Sequence, residues 1–186
     1  MSFDRRIAAA LAGTSLLKPS TVRAALERKD LDASGLDVFM SDPGDFPYGR
    51  TLLHKDDRVE CLLMNWAQGR ECAPHDHGAS WGWVAILEGE ASHKVYRLDA
   101  RGVPVLRREE RVKAGRWLFA PKGLVHSMGN PTSNRLVSLH TYVPTIALMR
   151  VYDPARCASC IVGDGCGAWW PAVIGPIRAV STPKAD

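Results

Sequence analysis

Three histidines stand where a metal ion would need them. His75 and His77 are one residue apart in GRECAPHDHGASWGWVAILEG, Gly69 to Gly89. His126 lies in GRWLFAPKGLVHSMGN, Gly115 to Asn130. Alternate side chains of a strand leave the same face, so His75 and His77 can reach one ion together. His126 follows a strand and a Pro121-x-Gly123 turn and can approach that ion from another strand. A lone buried histidine is usually a satisfied core residue, but that reading does not account for three with this spacing. Imidazole suits zinc, copper, iron and nickel alike, so ligand type does not choose the metal. His54 and His93 lack such context and read as surface or packing residues.

A second alternation lies downstream. Ser138, His140 and Tyr142 take every other position of one strand and share one face. Ser138 can fix the His140 tautomer, and His140 can orient the Tyr142 hydroxyl. Upstream, Tyr48-Gly49-Arg50 precedes the paired histidines. A guanidinium fork suits a carboxylate, because two parallel N–H donors match two oxygens. Trp81, Trp83 and Met128 are candidates to line a pocket, and each fits ordinary core equally well.

The elements that must position these groups are mostly short strands. Glu60–Ala67, Gly82–Leu87, Ala91–Leu98, Val103–Arg111, Arg116–Ala120 and Arg135–Val143 are rich in Val, Leu, Trp and Tyr, with turn residues between them. Strands at this spacing predict an all-β sandwich or barrel. Residues 41–49 read as loop. Residues 2–30 read as two helices broken at Lys18-Pro19, with Ile7, Leu11, Leu16 and Leu17 on the first. Ser20 is expected to cap the second, Thr21 to Arg28. Both are expected to pack outside the strands. We divide a single domain, residues 1–186, into N-terminal helices (1–40), a strand-rich core (48–145) and a C-terminal strand with a cysteine-containing loop (146–186).

The chain of 186 residues, 46% hydrophobic with a net charge of +4, has the composition of a folded domain. The small, scattered charge gives no case for nucleic acid, and no apolar run is long enough to span a bilayer. Five cysteines without a signal-peptide pattern point to a reducing, cytoplasmic compartment. Cys157, Cys160 and Cys166, ahead of Trp169-Trp170-Pro171, read as free thiols in a partly exposed loop. A structural zinc site takes four ligands. A redox-labile Cys157–Cys160 pair is the alternative.

The two histidine motifs resemble those of the cupins. Gly69, His75-x-His77 and Gly89 fit the first, and Gly115, Pro121-x-Gly123, His126 and Asn130 fit the second. The resemblance spans about residues 48–145 and implies a jelly-roll barrel around a metal. Metal-binding cupins usually add a glutamate four or five residues after the second histidine, where this chain has Trp81 and Gly82. Three neutral histidines followed by Ser-x-His-x-Tyr resemble the thiol dioxygenases, above all cysteine dioxygenase.

That resemblance implies Fe(II) on His75, His77 and His126. It also implies a thiol substrate held through sulfur and amine, and O2 as co-substrate. Both oxygen atoms end on sulfur, giving cysteine sulfinate without an external reductant. Arg50, with Tyr48, corresponds to the family's carboxylate anchor, and Ser138, His140 and Tyr142 to its relay. Relatives acting on 3-mercaptopropionate use glutamine in place of Arg50 and an arginine farther along. Arg50 therefore favours cysteine, and Arg150 keeps the mercapto acid open. Vertebrate members carry a cysteine, cross-linked to the relay tyrosine, where this chain has Gly82. Tyr142 is therefore expected to be an unmodified phenol, as in bacterial members. A non-enzymatic ligand-binding cupin and a zinc or nickel isomerase are more distant readings. A monomer or weak homo-oligomer is expected.

Overall fold

The computed structural model describes residues 2–14, 17–27, 35–163, 165–170 and 179–181. Leu16, Arg28 and Pro171, used in the sequence reading, lie outside these. Two helices come first, α1 (Phe3–Ala12) and α2 (Pro19–Glu27). Strands follow: β1 (Tyr48–Lys55), β2 (Glu60–Trp66), β3 (Trp81–Glu88), β4 (Glu90–Leu98), β5 (Pro104–Lys113) and β6 (Trp117–Ala120). The remainder are β7 (Val125–Gly129), β8 (Leu136–Val143), β9 (Leu148–Asp153), β10 (Ala158–Gly163) and β11 (Ala179–Ser181). Among the described residues, no helix is long and apolar enough to cross a membrane.

One layer is a five-stranded sheet in the order β1-β2-β8-β3-β6. The other contains two three-stranded sheets, β5-β4-β7 and β11-β10-β9. The chain around His75 joins them, because His75 bridges to His126 of β7 and to Val151 of β9. This is the all-β cupin jelly-roll architecture. Motif glycines at its turns are needed for their backbone shape. Gly69, Gly89, Gly115 and Gly123 hold φ of 67°, 80°, 82° and 79°, a left-handed region that favours glycine.

The five-stranded sheet is covered on both faces. Met64 and Trp66 of β2, Val84 and Ile86 of β3, and Leu136 and Tyr142 of β8 face the second layer. Leu63, Ala85, Val137 and Leu139 face α1 and α2, packing with Ile7, Leu11, Val22 and Leu26. β8 is consequently buried along its whole length, which explains why an apolar run carries its alternating polar residues without a solvated face. The helices thus lie on the outside of the strands.

Three details differ from the sequence reading. Helix α2 begins at Pro19, a residue pre-shaped for the first helical position, so Ser20 is not its cap. Thr21 Oγ1 instead accepts from Lys18 N at 3.1 Å and donates to Lys18 O at 2.9 Å. The core also runs past residue 145, because Met149, Val151, Cys160, Val162 and Ala168 pack into it. Finally, Cys160 is a buried residue of β10, and all five cysteines are free thiols.

β1 carries a register shift between Leu52 and His54. Arg50 pairs with Met64 before the shift, and Lys55 pairs with Glu60 after it. The extra residue re-aims the strand, so that Arg50, Leu52 and Lys55 all face one cavity and His54 does not.

Two substitutions test this packing. Leu26→Ala removes a fully buried side chain between helix and sheet and is expected to cost about 2–4 kcal/mol by urea unfolding. Unchanged stability would show that the helices are not seated on the sheet. At Gly82 a Cβ would stand 2.5 Å from the Tyr142 ring and 2.8 Å from Thr141 O. Gly82→Ala is expected to cost about 1–3 kcal/mol by overpacking, and a neutral or stabilising result would contradict the close β3–β8 approach.

Candidate active site

The cavity between the layers measures about 200 Å³ and is lined by His75, His77 and His126 together with Tyr48, Arg50 and Tyr142. The candidate ligand nitrogens of the three histidines all lie within 4.8 Å of one another, and all three residues are buried. The gathering is a backbone result. His75 and His126 exchange both amide bonds, at 2.9 and 3.0 Å, while Asp76 N bonds Arg150 O on the other side at 3.0 Å. The His75–His77 segment is thereby clamped between β7 and β9.

The donor set fits a cation. His75 Nδ1 lies 2.9 Å from Ala73 O. A carbonyl can only accept, so Nδ1 holds the proton and Nε2 presents a lone pair. His126 Nε2 and His77 Nε2 face each other at 3.3 Å. Burial pushes the His77 and His126 pKa values well below the usual 6.5 and lowers that of His75, so all three rings stay neutral, as metal ligation requires. Among the described residues no carboxylate joins the cluster. Trp81 packs outward against Phe119, with ring centroids 6.2 Å apart, and Gly82 lies beneath Tyr142.

Ser138, His140 and Tyr142 form one hydrogen-bonded row. Ser138 Oγ is 2.8 Å from His140 Nε2, and His140 Nδ1 is 2.9 Å from the Tyr142 hydroxyl. The indole N–H of Trp66 donates to Ser138 Oγ at 2.8 Å. Indole can only donate, so Ser138 Oγ accepts from Trp66 and can give its own hydrogen to His140 Nε2. His140 Nδ1 then donates to the Tyr142 oxygen, and the phenol hydrogen remains available to the cavity. Burial, and then His75, pushes the His140 pKa down to about 3. Burial raises the Tyr142 pKa well above 10, so the phenol keeps its proton. The Tyr142 and His77 rings are 4.5 Å apart between centroids.

Arg50 reaches the same cavity and donates from Nη1 to Cys166 O at 3.2 Å. The Tyr48 hydroxyl accepts from Ala168 N at 2.7 Å, so its own hydrogen is free to be donated. Trp169 stacks on Phe46 at 4.4 Å and leans on Tyr48 at 5.3 Å. Cys166 and Ala168 are therefore cavity wall, within an irregular segment that leaves Cys166 partly exposed. Arg150 lines a separate groove with Cys157 and Ser159, and donates to Ser159 Oγ at 3.0 Å.

The other assignments divide. Met128 lines the cavity, whereas Trp81 and Trp83 pack with the outer cluster under the helices. His54 is half-buried beside Asp56, at 3.6 Å. His93 is neither surface nor plain packing. It is 3% exposed, and its Nε2 is 3.1 Å from His126 Nδ1. The sequence held a signal for it, since Ala91, His93 and Val95 alternate along β4 with Ser92 and Lys94. Trp66 gave no such signal, because an aromatic residue on an apolar strand face looks like any core residue.

The buried neutral histidines set a pH dependence for the metal-free protein. Their folded pKa values lie below 6.5, so their contribution is full above that pH and is lost as pH falls, while the unfolded chain takes up protons. Stability measured by urea unfolding after chelation is expected to drop by on the order of 3 kcal/mol or more between about pH 7 and pH 4. A flat profile over that range would mean the histidines are not buried neutral.

One solved structure shares this fold. A conserved protein with a double-stranded β-helix domain from Klebsiella pneumoniae is 18% identical with a TM-score of 0.53, the match covering 63% of this chain and 94% of that one. An RmlC-like cupin family protein from Methanocaldococcus jannaschii is 15% identical with a TM-score of 0.44, over 56% of this chain and 87% of that one. The family model for cysteine dioxygenase type I matches residues 41–155. That span holds the three histidines, the Ser138–His140–Tyr142 row and Arg50. The chain belongs to the cysteine dioxygenase type I family.

Proposed function

We propose that the protein is an Fe(II)-dependent dioxygenase that converts L-cysteine and O2 to cysteine sulfinate. The observation that carries this reading is the placement of the Arg50 guanidinium in the same cavity as the three-histidine cluster, with Tyr48 beside it. A small thiol bearing a carboxylate satisfies both ends of such a cavity. Iron held by His75, His77 and His126 would supply a Lewis-acidic, redox-active centre that favours the thiolate and brings O2 next to sulfur. The substrate provides all four electrons, so the thiol and O2 balance to a sulfinate and a proton.

The protein's own groups do the rest. Arg50 binds the carboxylate, with Tyr48 adding one O–H donor. Tyr142, polarised through His140 and Ser138, donates a hydrogen bond toward the reacting atoms. Met64, Met128, Met149 and Leu62 make the walls apolar, which strengthens these bonds by excluding water. Arg150 faces another groove, which supports Arg50 as the arginine that meets the substrate.

The test is oxygen uptake by the Fe(II)-loaded protein with L-cysteine and 3-mercaptopropionate side by side. Cysteine is expected to give the higher kcat/KM, with sulfinate as product. Arg50→Ala removes a contact worth about 2–4 kcal/mol, so kcat/KM for cysteine should fall about 30- to 700-fold, mainly through KM. A preference for mercaptopropionate, or an indifferent Arg50→Ala variant, would overturn the assignment of cysteine.

A further inference from the structure

We propose that His93, backed by Glu110, is a positioning residue that fixes the tautomer and orientation of His126 and thereby sets the affinity of the metal centre. The inference rests on the proposed metal site. His93 lies on β4 beside β7, its backbone opposite Met128, while Val95 stands opposite His126. The two imidazoles meet edge to face at 79°, with centroids 5.3 Å apart. His93 Nε2 is 3.1 Å from His126 Nδ1, and His93 Nδ1 is 3.2 Å from Glu110 Oε1. Glu110 sits directly opposite His93 on β5 and also pairs with Arg108 at 3.1 Å.

With both imidazoles neutral, the chain of contacts allows one consistent placement of protons. The Glu110 carboxylate accepts, so His93 Nδ1 donates to it. His93 Nε2 then carries a lone pair and accepts from His126 Nδ1. That leaves His126 Nε2 without a proton, the nitrogen that faces His77 Nε2 at 3.3 Å. A histidine ligand is typically oriented through its second nitrogen by a carbonyl or carboxylate, and loss of that partner typically weakens metal binding. His75 uses the Ala73 carbonyl for this purpose. His77 Nδ1 is buried with no partner among the described residues. His126 alone is held by a carboxylate–imidazole chain, one that leads from the buried centre to a Glu110 side chain 36% exposed.

The experiment titrates Co(II) into the chelator-treated, full-length protein against a chromophoric competitor and compares His93→Leu with His93→Gln. His93→Leu fills similar space without an acceptor and is expected to bind Co(II) about 10- to 100-fold more weakly. His93→Gln can accept from His126 Nδ1 through its amide oxygen and is expected to recover most of the affinity. A merely structural role would weaken both variants alike. Thermal unfolding of the metal-free variants identifies any that fail to fold, and Glu110→Gln, which changes only the outer end of the chain, then supplies the comparison with a smaller expected loss. Equal Co(II) affinity in the parent protein and His93→Leu, equal losses in His93→Leu and His93→Gln, or no loss in Glu110→Gln where that variant supplies the comparison, overturns the role of His93. Failure of the parent protein to bind Co(II), or binding undiminished by His75→Ala, overturns the metal site and the inference with it.

Discussion

Everything chemical in this molecule depends on a short stretch of backbone held at both edges. His75 exchanges two amide hydrogen bonds with His126, and the next residue bonds to Arg150. Those bonds join β7 to β9 and make one continuous layer from two small sheets. They also bring two histidines from one segment against a third from another, with no freedom left in the main chain. A loop could carry the same side chains, but a ligand set must be held to within a fraction of an ångström. The unmet cost of burying three imidazoles is thereby placed on the fold.

The second row of polar groups obeys a different constraint. Ser138, His140 and Tyr142 sit on a strand covered on both faces, where an unpaired polar atom would be costly. Trp66 helps by donating to Ser138, which leaves the serine hydrogen free to run toward His140. With the serine hydrogen on His140 Nε2, the phenol hydrogen at the end of the row has no acceptor among the described residues, and that end falls in the cavity.

Much of this was legible in the sequence because it is periodic. Alternation predicted the strands, and the spacing of Ser138, His140 and Tyr142 placed them on one face of β8; His75 and His77, expected on a strand, lie instead in the irregular segment between β2 and β3, tied by isolated bridges at His75. The resemblance to the two cupin motifs marked Gly69, Gly89, Gly115 and Gly123. What periodicity does not encode is contact between distant segments. Nothing near His93 in sequence says that β4 lies beside β7, so its contact with His126 was invisible even though its place in the β4 alternation was not. The contacts of the C-terminal cysteine segment are equally hidden, because its partners, Tyr48 and Arg50, lie more than a hundred residues away. Ser20 was misjudged for a local reason, since the preference of Pro19 for the first helical turn outweighed a suitable hydroxyl next to it.

That long-range closure bears on how the protein is made. Cys166 O and Ala168 N meet Arg50 and Tyr48 across separations of 116 and 120 residues. During synthesis Tyr48 and Arg50 leave the ribosome well before Cys166 and Ala168, the residues that complete their surroundings. The cavity is therefore closed only by a wall that lies far along the chain, and a shortened chain can carry all three histidines without it.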